Sequence, residues 1–484
     1  MKRLKESIPD YLWPLEKRLD SKKLHKIHSA TIEILENTGV RLYLQEAIDL
    51  LKSAGAKVTD GNLVKITGGM VEKAFATVPG TINIYNREGV KSMLLGSGVS
   101  YFSTGSDCLN ILDHRDGLRR KAKLSDVQDA VRLMEVLPNI DYVMSMFLPW
   151  DVPSEVVSLY QMETMLTYTK KPIMFVTPEF EDCLDCVRMA EVAAGGAEEL
   201  RKKPFVMLYI NLSADLKHNE ESLRKLLFMA EKGLPTTYTP TGNIGALAPV
   251  TRAGAQAHIN AGNVTGIVLS QLKREGAPFI FGGWGLAMDM KTSIFAYAAP
   301  DMQGIGAAQA NYYNIPFFGV SGCSDAKILD GQATAEAALT LMADVTCGAD
   351  LVHDLGYMES GLMGSLQQLV ICDDMVGWIR RFIQPVSVED EELCLDVVNE
   401  VGPDGDFIST THTINHFREL YQPKIFNRKN YDDWEQSGKV TINDVSRKKI
   451  ETVLKKIDEK LISDGLANEI EGIRTQMEER LGLR

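Results

Sequence analysis

Between residues 123 and 356, short apolar runs alternate with longer segments whose apolar residues recur at three- and four-residue steps. This spacing predicts helices at 124–137, 155–169, 181–193, 221–232, 251–275 and 300–313. It predicts strands at 142–147, 173–176, 205–210, 236–239 and 279–282. Segment 291–299 follows neither pattern. A last unit begins with an apolar run at 315–320 and a Gly/Ser/Asp-rich loop at 321–330. A helical pattern follows, with Asp330 as N-cap and Gly348 as stop, and then a second run at 349–352 that ends in His353-Asp354. Seven or eight strands, each followed by a helix over about 250 residues, fit an α/β chain of the (β/α)8 TIM-barrel class better than a doubly wound sheet. No GxGxxG turn marks a dinucleotide-binding sheet.

Polar, aromatic or glycine residues close several of these strands. They stand at Pro149-Trp150, 177–179, 211–213, 239–243, Gly283-Trp284, 321–327 and 353–357. Loops of this kind in register predict one mouth at the C-terminal ends of the strands, where a barrel keeps its chemistry.

The flanks read differently. Residues 1–122 are expected to form an α+β extension. It holds a helix through Leu24, Ile27, Thr31, Ile34 and Leu35, a second helix at 43–54, and short strands at 63–66 and 82–85. Residues 123–360 are the barrel core. Residues 361–484 form a helical C-terminal region, with one apolar face at 361–382 and an exposed helical tail at 442–481. The net charge of −13 argues against a general nucleic-acid or anionic-membrane surface. No apolar run approaches the ~18 residues of a membrane span. The first fourteen residues lack the apolar core of a secretory signal. Seven cysteines, an odd number, argue for a reducing compartment and a cytoplasmic protein. Cys183 and Cys186 sit within a helical pattern without a second CxxC. His412 and His416 lack the Glu of an HExxH frame, so no metal site is expected from either pair.

Four stretches together resemble the trimethylamine methyltransferase superfamily: YFSTGSD at 101–107, SGCSDAKILDGQA at 321–333, DLVHDLGYMESG at 350–361, and GDFISTTHTINHFRELYQPKIFNR at 405–428 with Trp434. The resemblance runs from about residue 20 to about residue 470. It implies a TIM barrel that takes a methyl group from a methylated amine. It implies no cofactor tightly bound to this chain. The corrinoid (cobalamin) is instead carried by a partner protein that docks over the mouth, and the chain itself is expected to be a homo-oligomer. One branch of the superfamily acts on trimethylamine and carries pyrrolysine. The other lacks it and acts on quaternary amines, typified by glycine betaine. A chain written in the twenty standard residues is expected in the second branch, unless a lysine stands for pyrrolysine. Proline betaine, carnitine and γ-butyrobetaine are alternative substrates, and a non-catalytic betaine-binding barrel is the alternative of another class.

Demethylating a quaternary amine releases a neutral tertiary amine, so no acid catalyst is needed and the protein mainly positions the substrate. Aromatic faces hold such an ammonium. A carboxylate beside it would stabilise the ground state more than the transition state, because charge leaves the nitrogen. The expected cage is therefore Tyr101, Phe102, Trp284 or Tyr357, and not an acidic pocket. His353 is the first choice to meet a substrate carboxylate, with Gln332 or a backbone N–H of its helix second. Asp325 is a further site residue, alongside His353 and Tyr101. Each has a purely structural alternative: His353 as a core histidine, Trp284 as packing, and Asp325 as partner of Lys327 or a helix cap.

Overall fold

The computed structural model describes residues 18–456 and 459–483. The stretch read against a secretory signal lies outside the described residues. The chain is mixed α/β. Strands Ile173–Phe175, Val206–Leu212, Thr236–Pro240 and Phe279–Phe281 pair in parallel, in chain order, as one four-stranded sheet. Most of their residues are buried, which is why these runs are continuously apolar or Thr-rich rather than alternating. A second parallel sheet orders Phe318–Val320, Leu351–His353 and Tyr101–Phe102.

Single backbone contacts step between these sheets. Phe281 bridges Phe317 in parallel, and its N–H donates to the Pro316 carbonyl at 2.8 Å. Val143 bridges Ile173, and the Asp141 N–H donates to the Phe102 carbonyl at 2.8 Å. Segment 142–147 was expected as a regular strand but makes only isolated bridges. Met146 adopts φ 61°, which turns the chain out of the extended conformation a ladder needs. Tyr101–Phe102, which sequence spacing alone leaves in the N-terminal extension, is a member of the second parallel sheet.

Helices Leu124–Val136, Val157–Tyr168, Phe180–Ala194, Glu220–Lys232, Arg252–Lys273, Ile305–Tyr313 and Gly331–Thr346 alternate with the strands. Local chemistry sets several of their ends. Asn219 and Asp330 accept N–H groups of the first turn, at Ser222 and at Gln332 and Ala333. The Lys171 ammonium donates to the Met134, Leu137 and Ile140 carbonyls at 2.6, 2.9 and 2.6 Å, closing the C-terminal end of Leu124–Val136. The unassigned stretch after Gly283 forms a hairpin. Gly285–Met288 pairs antiparallel with Phe295–Ala296 and parallel with Gly242–Ile244.

Ser21–Glu33 begins at an Asp20 cap and packs Thr31 onto Arg252–Lys273, where its hydroxyl lies 3.3 Å from the Ala257 carbonyl. The C-terminal tail departs from expectation, because it is docked rather than exposed. Its helices Ile442–Leu454 and Asp464–Arg480 bury Ile450, Ile470, Ile473 and Met477. Ile470, Ile473 and Met477 recur at helical spacing and form a stripe that packs on Val157–Tyr168 and Phe180–Ala194. Arg474 joins the two layers, bonding Glu163 at 2.6 Å and Glu478 at 2.7 Å. Among the described residues no helix is long and apolar enough to cross a membrane.

Candidate functional site

Strand ends and the loops beyond them converge on a cavity of about 50 Å³. Ser106, Asp107, Tyr209, Asn211, Thr241, Trp284, Leu286, Tyr297, His353 and Asp354 line it. They come from several separate strands and the loops that follow them. Tyr209 and Asn211 sit on Val206–Leu212. Trp284 follows Phe279–Phe281. His353 ends Leu351–His353, Asp354 follows it, and Asp107 follows Tyr101–Phe102. Tyr297 follows the hairpin's second strand.

The rings pack as one group. Phe318 stacks on His353, with centroids 3.9 Å apart and planes at 15°. Trp284 lies 5.0 Å from His353 and 6.3 Å from Tyr209, and Tyr209 stands edge-on to His353 at 5.7 Å. The Trp284 Nε1–H is buried and has no hydrogen-bond partner among the described residues. A buried donor without a partner is costly, so this N–H is available to a ligand in the cavity.

His353 is neutral. Burial pushes its pKa down to about 3. Its Nδ1 lies 2.7 Å from the Gly319 carbonyl, which fixes the proton there and turns an unprotonated Nε2 toward Asp354. The 3.5 Å separation between Nε2 and Asp354 Oδ1 is therefore not an ion pair. Burial raises the Asp354 carboxyl well above the usual carboxylate range, and the charge of Asp107 adds to the rise. Asp354 also holds φ 76°, a left-handed conformation uncommon outside glycine. Asp107 is reachable from solvent through the mouth, yet enough protein surrounds it that desolvation raises its carboxyl as well. The Tyr357 hydroxyl opposes that rise by donating to Asp107 Oδ1 at 3.0 Å. Burial and these two carboxyls keep the Tyr209 and Tyr297 phenols neutral. No lysine or arginine lines the cavity.

An apolar groove of about 600 Å³ adjoins the cavity. The two share Ser106 and Asp107, and the groove continues over Leu109, Pro149, Trp150, Val152 and Pro178. Trp150 is 58% exposed there, with the Lys121 ammonium 5.7 Å from its ring centre.

Of the residues singled out from sequence, Trp284 and His353 line the cavity. Tyr357 lies behind it and holds Asp107. The others lie elsewhere. The Tyr101 hydroxyl accepts the Leu94 N–H at 3.1 Å, among the side chains of the Ile82–Tyr85 and Lys91–Leu95 hairpin. Phe102 is buried in the main core, with the Arg380 guanidinium 5.2 Å from its ring centre. Tyr101 and Phe102 alternate along a strand, so they cannot both face one pocket. Asp325 accepts the Tyr297 and Ala298 N–H groups at 3.0 and 3.3 Å and the Ser360 hydroxyl at 2.8 Å, which anchors the segment that presents Tyr297. Gln332 is exposed and donates to Glu336 at 2.9 Å.

The pocket is acidic, contrary to the sequence expectation. Asp107 and Asp354 each lie within motifs of the sequence, GSD and HD, but only the pairing of Tyr101–Phe102 with Leu351–His353 brings them to one cavity. Tyr209 and Tyr297 carried no comparable signal. Cys183 and Cys186 are both buried, with thiols raised by desolvation. His412 contacts Cys394 Sγ at 3.1 Å and His416 contacts Glu419 at 2.8 Å. Among the described residues no group of three or more His, Cys, Asp or Glu is placed to hold a metal ion.

Comparison with known proteins agrees with this architecture. In overall structure the chain is similar to the hydroxylamine complex of MtmB (TM-score 0.51, 12% identity, 93% of this chain and 94% of that one). The Methanosarcina barkeri monomethylamine methyltransferase (MtmB) matches similarly, with TM-score 0.50, 12% identity and the same coverage. At this identity the likeness concerns the fold. In sequence it is 28% identical to the trimethylamine methyltransferase MttB of Desulfitobacterium hafniense, over 95% of this chain and 94% of the relative. It is also 28% identical to a glycine betaine methyltransferase of D. hafniense, over 87% of this chain and 89% of the relative. The family model for trimethylamine methyltransferase (MTTB) matches residues 4–479, nearly the whole chain, and the chain therefore belongs to that family.

Proposed function

We propose that this chain transfers a methyl group from a quaternary amine to the corrinoid of a partner protein. Eight parallel segments, linked between sheets by the Asp141–Phe102 and Phe281–Pro316 contacts, support reading the fold as a (β/α)8 barrel with its mouth at the cavity. The observation that carries the function is the cavity itself. Trp284, Tyr209 and Tyr297 offer aromatic faces, and Asp107 and Asp354 offer negative charge, with no lysine or arginine among them. Such a lining suits a cation without N–H groups. The lack of a lysine also supports the branch without pyrrolysine over a trimethylamine enzyme.

In the reaction, the bond between nitrogen and one methyl carbon breaks. Nitrogen keeps the electron pair, and the tertiary amine leaves neutral. The corrinoid, when brought by the partner, supplies the nucleophile and receives the methyl. The chain's own residues hold the ammonium and aim one methyl toward the groove. The raised carboxyls suit this task. Carboxyls whose ionisation is opposed by burial attract the cation with less ground-state over-stabilisation than two solvated carboxylates would cause. The apolar groove fits the macrocycle's partner better than the rim around Tyr101 and residues 321–330, because it opens into the cavity at Ser106 and Asp107. Exposed Trp378, Phe382, Val386, Ile408 and Leu420 support a homo-oligomer built through the C-terminal region.

The test is a substrate panel with chemically reduced Co(I) cobalamin, following loss of the Co(I) absorbance. Glycine betaine, proline betaine, carnitine, γ-butyrobetaine, choline, tetramethylammonium and trimethylamine are offered in turn. Consumption with at least one quaternary amine and none with trimethylamine is expected. Silence on every amine, repeated with a corrinoid protein present, would leave a non-catalytic amine-binding barrel.

A further inference from the structure

The charge of the cavity goes further than the class of nitrogen it accepts, provided the amine reading above holds. A betaine carries a carboxylate as well as an ammonium, and both must be placed in the same small space. The carboxyls of Asp107 and Asp354 already stand there, and the lining supplies no positive side chain to offset a substrate carboxylate. A substrate carboxylate placed beside them meets further like-charge repulsion, with no countercharge in the lining. The cations beside the adjoining groove are committed or displaced. The Lys225 ammonium donates to the Thr177 and Pro178 carbonyls at 2.6 and 3.0 Å. Lys121 belongs to the groove and sits by Trp150.

The neutral donors point the same way. Thr241 donates its hydroxyl hydrogen to Asn211 Oδ1 at 2.8 Å, which leaves the Asn211 amide N–H groups and the unpartnered Trp284 Nε1–H. These donors match a hydroxyl or ether oxygen, which needs no countercharge. We infer that the preferred substrate is a quaternary ammonium without a carboxylate, of the choline or tetramethylammonium class, and that the Asp107–Asp354 pair excludes short betaines.

Binding and turnover separate this inference from the proposal it rests on. Affinities for tetramethylammonium, choline, glycine betaine and γ-butyrobetaine are measured by calorimetry on the full chain without corrinoid. Methyl transfer from each to Co(I) cobalamin is measured alongside. The inference expects choline or tetramethylammonium to bind at least tenfold tighter than glycine betaine and to be the better methyl donor. Asp107→Asn and Asp354→Asn should each shift the betaine-to-choline affinity ratio at least fivefold toward betaine, because each removes an ionisable carboxyl and keeps its shape. Glycine betaine binding as tightly as choline to the unmodified protein overturns the inference while leaving methyl transfer intact. Preference for γ-butyrobetaine overturns it too, by showing that a longer arm reaches Lys121. Tight choline binding with no methyl transfer from any amine sinks the enzymatic reading instead.

Discussion

The Tyr357 hydroxyl is bonded twice to one residue: it accepts the Asp107 backbone N–H at 2.8 Å and donates to Asp107 Oδ1 at 3.0 Å. This double bond fixes the loop after Tyr101–Phe102 against the loop after Leu351–His353, and with it one carboxyl of the cavity. Tyr357→Phe removes both contacts. It leaves the Asp107 N–H without that partner, at a cost of about 1–3 kcal/mol. A thermal melt should show the loss, and methyl transfer should fall more than tenfold as Asp107 loses its position. Unchanged turnover would show that Asp107 is not held by Tyr357 for function.

Gly105 lies where a side chain cannot. A Cβ there would run into Asp354 Oδ1 and the Tyr357 ring. Gly105→Ala must push both residues, and overpacking of this kind costs about 1–3 kcal/mol. The expected result is a folded protein, by circular dichroism, that no longer binds quaternary amines. Retained binding would mean that the Asp354 side chain can move aside without consequence.

Cation binding should depend on pH through the carboxyls. The groups facing the cavity are Asp107 and Asp354, both raised, with Tyr209 and Tyr297, whose phenols are pushed up, and His353, pushed down to about 3; Tyr357 behind them is pushed up as well. Of these groups, the carboxyls are pushed up from the acid side and the phenols up from the alkaline side, so the carboxyls titrate first as pH rises from the acid side. A bound ammonium favours their ionised form, so affinity rises as pH rises through their range, by up to about tenfold per unit while one proton is released. Calorimetry in two buffers of different ionisation enthalpy measures that proton. No release on binding would argue that the pair is already ionised or does not face the ligand.

Trp150 is the exposed apolar centre of the groove. Trp150→Ala should lower transfer to a corrinoid protein at least tenfold and transfer to free cobalamin much less, because the large partner depends on the rim more than the small molecule does. Equal losses with both acceptors would move the docking site elsewhere.

A buried acid away from the cavity should make stability fall with pH. Burial raises Asp344 to about 7, and its bond from the Ser321 hydroxyl only partly opposes this. The folded pKa lies above the unfolded one. The neutral acid's contribution is therefore full below about pH 4 and is lost as pH rises through about 7. The unfolding midpoint of the unmodified protein should fall across that window, and Asp344→Asn should flatten the profile. An identical pH profile in the variant would remove Asp344 from the account.

How much of this was legible follows from the range over which each signal acts. The helices at 124–136, 220–232 and 331–346 were readable because a local apolar stripe makes each one, with the Asp330 cap marking the start of the last. His353 and Trp284 were readable as strand-end residues, which is a local property. Segment 142–147 has a strand's composition, yet Met146 leaves the extended region, and composition does not report a single dihedral angle. Tyr101 and Phe102 looked like cage residues because they are aromatic and sit in a glycine-rich stretch. Their directions depend on strand register, which seats one over the hairpin and turns the other toward Arg380.

The sequence alone determined the alternation of apolar strands with amphipathic helices and the chain's place in a family, since both reside in residue order and spacing. The tertiary structure decided the character of the site. Asp107 and Asp354 are 247 positions apart in the chain, and nothing local to either marks it as half of a pair. They share a cavity because Tyr101–Phe102 pairs with Leu351–His353, and a carboxyl's charge state depends on what is packed around it rather than on its neighbours in sequence.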